Sequence, residues 1–114
     1  MSKFDPSPPA LIERFDAVVA RRADVERRKM FGYPAMFVGG KLVSGLFADG
    51  WMIRLAPDDL AELLTMDGAV PFSPMPGRTM TGYALLPPAL VADDTRLDPW
   101  LDRAVAYVRT LAAT

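Results

Sequence analysis

Residues 28–55, RKMFGYPAMFVGGKLVSGLFADGWMIRL, contain the pattern that decides the fold. Gly39-Gly40 and Asp49-Gly50 are typical of two-residue hairpin turns, because glycine adopts positive φ without a steric clash. After the second turn, residues 51–55 (WMIRL) alternate in the period-2 pattern of a strand with one solvated face. The segment therefore predicts three short apolar strands joined by two tight turns.

Composition limits the chemistry that this chain can perform. Its 114 residues, 51% of them hydrophobic and 24% charged, predict one globular domain spanning residues 1–114. The sequence has no cysteine, which excludes disulfides and thiolate catalysis. It also has no histidine, the usual general base near neutral pH and the commonest transition-metal ligand. We therefore expect a protein that is not an enzyme and that needs no cofactor or metal.

Charge and hydropathy give the expected location. The net charge is −1, which by itself predicts neither a nucleic-acid nor a membrane partner. No apolar run approaches the roughly 20 residues of a membrane-spanning helix. The first ten residues, MSKFDPSPPA, lack the apolar centre of a signal peptide. A cytoplasmic location is the resulting expectation.

Helices are predicted on both sides of the strand segment, and residues 1–7 are predicted to form a flexible tail. Gly32-Tyr33-Pro34 is interpreted as a bend or bulge, and the element order as αβββαββα. We expect an α+β fold, a two-layer sandwich whose five-stranded antiparallel sheet is covered by helices on one face. In chain order the predictions begin with a helix from Ser7-Pro8 to about Ala23 and strands at 25–31 and 35–38, which count as one strand interrupted by the bend. Strands at 41–48 and 51–55, a helix from Pro57 with Gly68 following it, and strands at 70–73 and 79–86 come next. One turn at 89–91 and a helix capped by Asp98 and opened by Pro99 complete the order.

Several motifs follow one another in a recognisable order. They are Lys29-Met30-Phe31-Gly32, Phe37-Val38-Gly39-Gly40-Lys41, Pro71-Phe72, Pro76-Gly77-Arg78-Thr79-Met80, Gly82-Tyr83, and Trp100 with Ala104-Val105-Ala106-Tyr107. Over residues 10 to 112 the chain resembles the TfoX/Sxy family, specifically its N-terminal domain. Thr81 stands where the family usually has lysine. The C-terminal helical domain of full-length competence regulators has no counterpart, so a stand-alone N-terminal domain is expected.

The resemblance implies the αβββαββα fold, similar to that of secretion chaperones, and an association with the regulation of DNA-uptake genes. It implies no defined molecular activity, since a fold does not transfer function. The leading hypothesis is a non-enzymatic interaction module with a protein partner, acting as a homodimer through an uncovered sheet face or an edge strand. An alternative is a nucleic-acid-binding regulatory protein.

The alternative depends on the basic residues Arg21, Arg22, Arg27, Arg28 and Lys29, which could contact phosphates. Strand alternation puts Arg28 on the face opposite to Arg27 and Lys29, which divides the patch. The structural interpretation is a solvated helix end and a charged edge strand that discourages aggregation. No aromatic ladder accompanies the basic residues, as a single-strand binder would require.

Two other arginines have both a binding and a structural interpretation. Arg78, after a proline-rich loop, could contact a carboxylate or phosphate, or could pair with Glu62 or Asp67 and anchor the loop. Arg54 has the same alternatives, with surface exposure favoured. A third hypothesis, an enzyme or small-ligand site using Arg78, Tyr83 and a carboxylate, is the weakest because the chain has no histidine or cysteine.

The remaining candidates are acidic pairs and methionines. Asp58-Asp59 and Asp93-Asp94 could suggest a metal site, but both pairs lie at predicted helix starts, where acids favour the helix dipole. Most methionines are expected in the core, although methionine is also common on adaptable binding surfaces. A possible interface is assigned to Met30, Tyr33, Met36, Trp51 and Tyr83.

Overall fold

The computed structural model describes residues 6–75 and 77–111. Within these ranges, four helices and six strands form an α+β domain, so the predicted fold class is confirmed. In chain order the elements are α1 (Pro9–Ala20), β1 (Glu26–Met30), β2 (Tyr33–Val38), β3 (Lys41–Phe47), β4 (Gly50–Arg54), α2 (Pro57–Leu64), β5 (Val70–Pro71), β6 (Tyr83–Leu85), α3 (Pro88–Val91) and α4 (Asp94–Thr110).

All neighbouring strands are antiparallel, in the order β1-β2-β3-β4-β6-β5. The predicted count of five strands is wrong, because the expected bend after Met30 is a hairpin. Phe31 and Gly32 both have positive φ, 58° and 84°, as in a two-residue turn of the type that matches strand twist. Met30 consequently lies opposite Tyr33, and β1 and β2 are separate strands.

The centre of the sheet contains a bulge and a close approach. Met36 pairs with Ser44 but Phe37 pairs with Leu42, so Val43 is an extra residue in β3. The two adjacent strands approach Gly45 closely: a Cβ atom at this position would be 3.0 Å from the Ala35 Cβ atom and 3.2 Å from the Met52 Cε atom. The kink or close approach expected at Gly45 is therefore observed.

The main core lies between the helices and one face of the sheet. Phe15 of α1 and Leu101 of α4 are completely buried there, as is Ile53 of β4. The ring of Phe15 packs on that of Trp51 at a centroid distance of 4.9 Å. The indole Nε1–H of Trp51 donates a hydrogen bond to the Ser44 Oγ atom at 2.9 Å. The Ser44 hydroxyl in turn donates to the Met52 carbonyl at 2.6 Å, so this buried polar pair is satisfied.

The predicted starts of two helices are wrong. Ser7 does not cap α1; it is buried, and its hydroxyl donates to the Ala48 carbonyl at 2.6 Å. Helix α4 begins at Asp94, because the Asp93 carboxylate accepts hydrogen bonds from the Thr95 backbone N–H at 3.0 Å and from its hydroxyl at 2.7 Å. Pro99 therefore lies inside α4, where it removes one backbone hydrogen bond. Of the predicted tail, residues 1–5 lie outside the described part.

Candidate docking face

The opposite face of the sheet, here called the helix-free face, carries a second and smaller apolar cluster. Its buried members are Ala35, Leu42, Met52 and Phe72. No helix belongs to this cluster; its cover comes from the segment that follows β5, which supplies Phe72 and Met80. The Phe72 N–H donates to the Tyr83 carbonyl at 3.2 Å, and the Met80 N–H donates to the Phe72 carbonyl at 2.8 Å. A loop therefore covers the helix-free face next to β6, whereas the part of the face formed by β1 and β2 is only partly buried.

Two arginines, each lying over an aromatic ring, cross this face on either side of a leucine. The Arg28 guanidinium lies 5.6 Å from the Phe37 ring centroid, and Phe37 is opposite Leu42 in the register. The Leu42 carbonyl accepts a 3.4 Å hydrogen bond from Arg54, whose guanidinium lies 5.5 Å from the Tyr83 ring centroid. We call these five residues the cation–aromatic row. Because opposite residues of an antiparallel pair share one face, the row crosses five adjacent strands.

Arg54 is the unusual member of the row. It is half-buried, yet within residues 6–75 and 77–111 no carboxylate lies in ion-pair contact with it. Burial raises the pKa of Tyr83, while the positive charge of Arg54 acts in the opposite direction. The stacked phenol is therefore neutral at physiological pH and leaves the charge of Arg54 uncompensated.

The basic segment is neutralised by carboxylates at its helical end. Arg21 contacts Asp94 at 3.3 Å and Asp98 at 2.6 Å, which ties the end of α1 to α4. Arg22 contacts Asp102 at 2.8 Å and Asp24 at 3.1 Å. Burial lowers the pKa of Arg22, but the hydrogen bonds to these two carboxylates outweigh that effect and raise the pKa overall.

The strand end of the basic segment is also largely paired. The Arg27 Nε atom contacts Asp16 on α1 at 2.7 Å. Arg28 contacts Glu26, its neighbour two positions back, at 2.6 Å. Lys29 is exposed and forms no ion pair with the described residues. The structure thus divides the predicted patch among separate ion pairs and does not assemble one anion site from it.

Arg78 does not anchor its loop as predicted. Glu62 pairs instead with Arg103 of α4 at 3.1 Å, and no ion pair joins Arg78 to any described carboxylate. Its backbone N–H donates to the Met75 carbonyl at 2.9 Å, so the loop turns through a main-chain contact. Arg78 is exposed, as is Met75.

Three residues of the predicted interface are wrong, because the fold buries them. Tyr33 is 4% exposed, Met36 is inaccessible, and Trp51 is 1% exposed, and all three belong to the main core. Met30 and Tyr83 are half-buried and pack against the cluster of the helix-free face. The predicted interface therefore reduces to these two residues.

The acidic pairs have structural partners. Asp58 and Asp59 lie in the first turn of α2, and Asp59 contacts Arg103 at 3.4 Å. Asp93 caps α4, and the hydrogen bond from the Thr95 hydroxyl lowers its pKa. The hydrogen bond from Arg14 lowers the pKa of Asp94. Among the described residues no group of three or more carboxylates could hold a metal ion.

A groove lies at another part of the molecule, between α1, α3 and the ends of β4 and β6. Its volume is about 590 Å³, and its walls are mostly apolar, including Leu11, Val70 and Val91. Arg14 is its cationic residue, but this side chain pairs with Asp94 and donates to the Val91 carbonyl at 2.8 Å. The cation of the groove is therefore already engaged by the protein, and Asp49 is the other charged residue in its lining.

The family model described as the TfoX N-terminal domain matches residues 17–108. The chain belongs to this family. The match covers all of the sheet, most of α4 and the last four residues of α1. Neither the curated proteins nor the solved structures contain a match. Within the described part of this TfoX N-terminal domain, the helices are too short or too polar to cross a bilayer.

Sequence reasoning missed Phe37 and undervalued Arg54. Phe37 lies on β2 and Arg54 on β4, each at a position whose side chain faces away from the main core. In the sequence, Phe37 was considered only as part of a hairpin motif. The signal was available in part, since Arg54 interrupts the apolar pattern of residues 51–55. The bulge at Val43 was not visible, and without it alternation in β3 places Leu42 on the same face as Ser44, the face of the main core.

Proposed function

We propose that this TfoX N-terminal domain is a non-enzymatic protein-interaction module with a regulatory role in the cytoplasm. It contacts a protein partner, including a second copy of itself in a homodimer, through the helix-free face. The observation that carries the proposal is the incomplete cover of this face. Its cluster is closed by one loop, and half-buried Met30, Phe37 and Leu85 border it.

The ion pairs support a role without catalysis. Arg21 and Arg22, just after α1, contact aspartates of α4, and Arg103 of α4 contacts Glu62 of α2, so these ion pairs join elements of the fold. Reactive side chains are scarce as well, since the sequence has no histidine or cysteine. The chemistry that remains available is apolar contact combined with guanidinium recognition, which is typical of protein interfaces.

The pairing of the basic segment does not favour nucleic-acid binding. Such binding depends on several cations that release counterions from phosphates, whereas Arg21, Arg22 and Arg27 are each committed to aspartates. A gel shift at low salt tests this alternative. Retardation of an oligonucleotide that is abolished by Arg27→Glu with Arg28→Glu would favour nucleic acid over a protein partner.

Self-association and host-protein capture test the proposal directly. Phe37→Asp places a charge on the helix-free face, and Ala106→Asp places the same charge on the exposed side of α4. We expect Phe37→Asp to abolish dimerisation in sedimentation experiments and to remove specific partners from pull-downs, with Ala106→Asp behaving as the wild type. Circular dichroism confirms that both variants are folded. A strict monomer at high concentration would contradict the homodimer, and equal capture by both variants would contradict the assigned face.

A further inference from the structure

We propose that the cation–aromatic row recognises carboxylates of an extended acidic segment in the protein partner. The inference rests on the proposed function and specifies the chemistry of the partner. Arg54, stacked on Tyr83, is the principal contact, and Arg28, stacked on Phe37, is the second. The apolar residues between them, such as Leu42, contact the intervening side chains of the segment.

The Arg54 guanidinium is held in a position from which it can bind an anion. Its stacking on the Tyr83 ring and its hydrogen bond to the Leu42 carbonyl restrict the guanidinium before any partner arrives. A planar guanidinium held in this way offers its remaining N–H groups as a fork that matches a carboxylate. Half-burial reduces screening by water, so a charge-assisted hydrogen bond at this position is stronger than one at the exposed surface.

Arg28 differs because it already has a carboxylate neighbour. Glu26 contacts it from the same strand, and both side chains are more than half exposed. The alignment of Glu26 with Phe37 places this carboxylate beside the row. Glu26 therefore occupies the place of an incoming acidic group at one end of the row and competes with it.

The arrangement favours protein over single-stranded nucleic acid. Base stacking needs free aromatic faces, but guanidinium groups already lie over the rings of Phe37 and Tyr83. A nucleic acid would also need a continuous basic track for its phosphates. The row instead offers two separate guanidinium groups around an apolar centre, which suits isolated acidic residues in an otherwise apolar segment.

The strand positions predict the spacing of those acidic residues. Arg28 is on β1 and Arg54 is on β4, three strand spacings or roughly 14 Å across the sheet. The register aligns Arg28 with Met52, so Arg54 is also two residues or roughly 7 Å along its strand, and the two backbones are roughly 16 Å apart. Four residues of an extended chain cover roughly 13 Å. Among positions on one side of an extended segment, i and i+4 come nearest to this separation, and the flexible glutamate side chains span the remainder.

A fluorescein-labelled peptide, Gly-Glu-Val-Thr-Val-Glu-Gly, is a suitable probe of the cation–aromatic row. The control peptide has glutamine in place of both glutamates. Fluorescence anisotropy measures binding to the full chain. Loss of a charge-assisted contact predicts that Arg54→Gln weakens binding roughly tenfold or more. Removal of the competing carboxylate predicts that Glu26→Gln strengthens it. Arg27→Gln, on the opposite side of the same strand and paired with Asp16, is the matched control and should leave the affinity unchanged.

Each outcome decides the proposal. Preference for the glutamate peptide together with its loss in Arg54→Gln supports the carboxylate site. Equal binding of both peptides, no binding, or equal binding by Arg54→Gln would overturn it. Tighter binding of an oligothymidylate that depends on Arg54 would also overturn it, in favour of a phosphate ligand. If Phe37→Asp abolishes partner capture while Arg54→Gln does not, the helix-free face remains a docking face and only the acidic chemistry is wrong.

Discussion

The two faces of the sheet, formed by the same strands, differ in how completely their side chains are buried and paired. The helix side combines completely buried residues such as Phe15, Ile53 and Leu101 with a satisfied polar pair. The helix-free side has a smaller cluster, covered by one loop and bordered by stacked arginines. The helix side therefore provides most of the stability, and the helix-free side retains the groups that can contact another molecule.

The charged residues follow the same division. On the helix side, arginines pair with aspartates of another element, as Arg21 does with Asp98. On the helix-free side, Arg54 stacks on a neutral ring and Arg28 pairs with Glu26 of its own strand. Paired guanidinium groups join elements of the fold, whereas the stacked group on Arg54 remains available.

Truncation of one phenylalanine on each face should give the largest difference. Phe15→Ala removes an inaccessible ring that packs on Trp51, and we expect it to lower the free energy of unfolding by about 3–5 kcal/mol. Phe37→Ala removes a half-buried ring and should cost less than half of that. Denaturant titration measures both values. Equal costs would contradict the division between the faces.

The polar pair on the helix side should be the next most sensitive. Ser44→Ala leaves the Trp51 indole N–H without its partner in a dry environment, which should cost about 2–3 kcal/mol. In a Trp51→Phe background the same serine substitution should cost less, because no indole donor remains to be orphaned. A double-mutant cycle measures the coupling. Additive costs would mean that the hydrogen bond contributes nothing to stability.

A glycine substitution tests how tightly the helix-free side is packed. The added Cβ atom of Gly45→Ala meets the Pro34 carbonyl oxygen at 3.1 Å, a backbone atom that cannot move independently, and we expect a loss of about 1–2 kcal/mol. Gly50→Ala is the control, since its closest contact is the end of the flexible Leu85 side chain. Thermal unfolding compares the two variants. Equal stability would show that this face tolerates expansion.

The ion pairs of the helix side should give the smallest effect, visible mainly through pH. Arg14 lowers the folded-state pKa of Asp94 below its usual value of 3.8. The stabilisation is therefore present above the unfolded-state pKa and is lost as the pH falls through the lower folded-state pKa. Asp94→Asn should reduce the melting temperature slightly at pH 7, and the difference from the wild type should shrink below about pH 4. A difference that grows in acid would reverse the assigned sign.

Features of the fold that depend on interactions between residues close in sequence were predictable. The hairpin glycines and the alternation in residues 51–55 act locally, so the meander and the fold class followed from sequence. The start of α4 did not, because Asp98-Pro99 and Asp93-Asp94 are both good local caps and Thr95 favours the earlier one. The turn at Phe31-Gly32 was missed because phenylalanine rarely adopts positive φ.

The candidate site was less predictable because its members come from separate strands. Arg28 and Tyr83 were identified from sequence as isolated candidates, but their place in one row depends on the register of five strands and on the bulge at Val43. Alternation also cannot distinguish a residue buried under helices from one on a docking face. Met36 and Trp51 were assigned to an interface for this reason.

Site-specific photo-cross-linking in the native host tests the central claim most directly. A photoreactive phenylalanine analogue replaces Phe37 on the helix-free face or, as control, Ala106 on the exposed side of α4. If the helix-free face docks a partner, discrete protein adducts form from position 37 and none from position 106. Adducts from position 106 alone, or none from either position in folded protein, would contradict a docking role for the helix-free face.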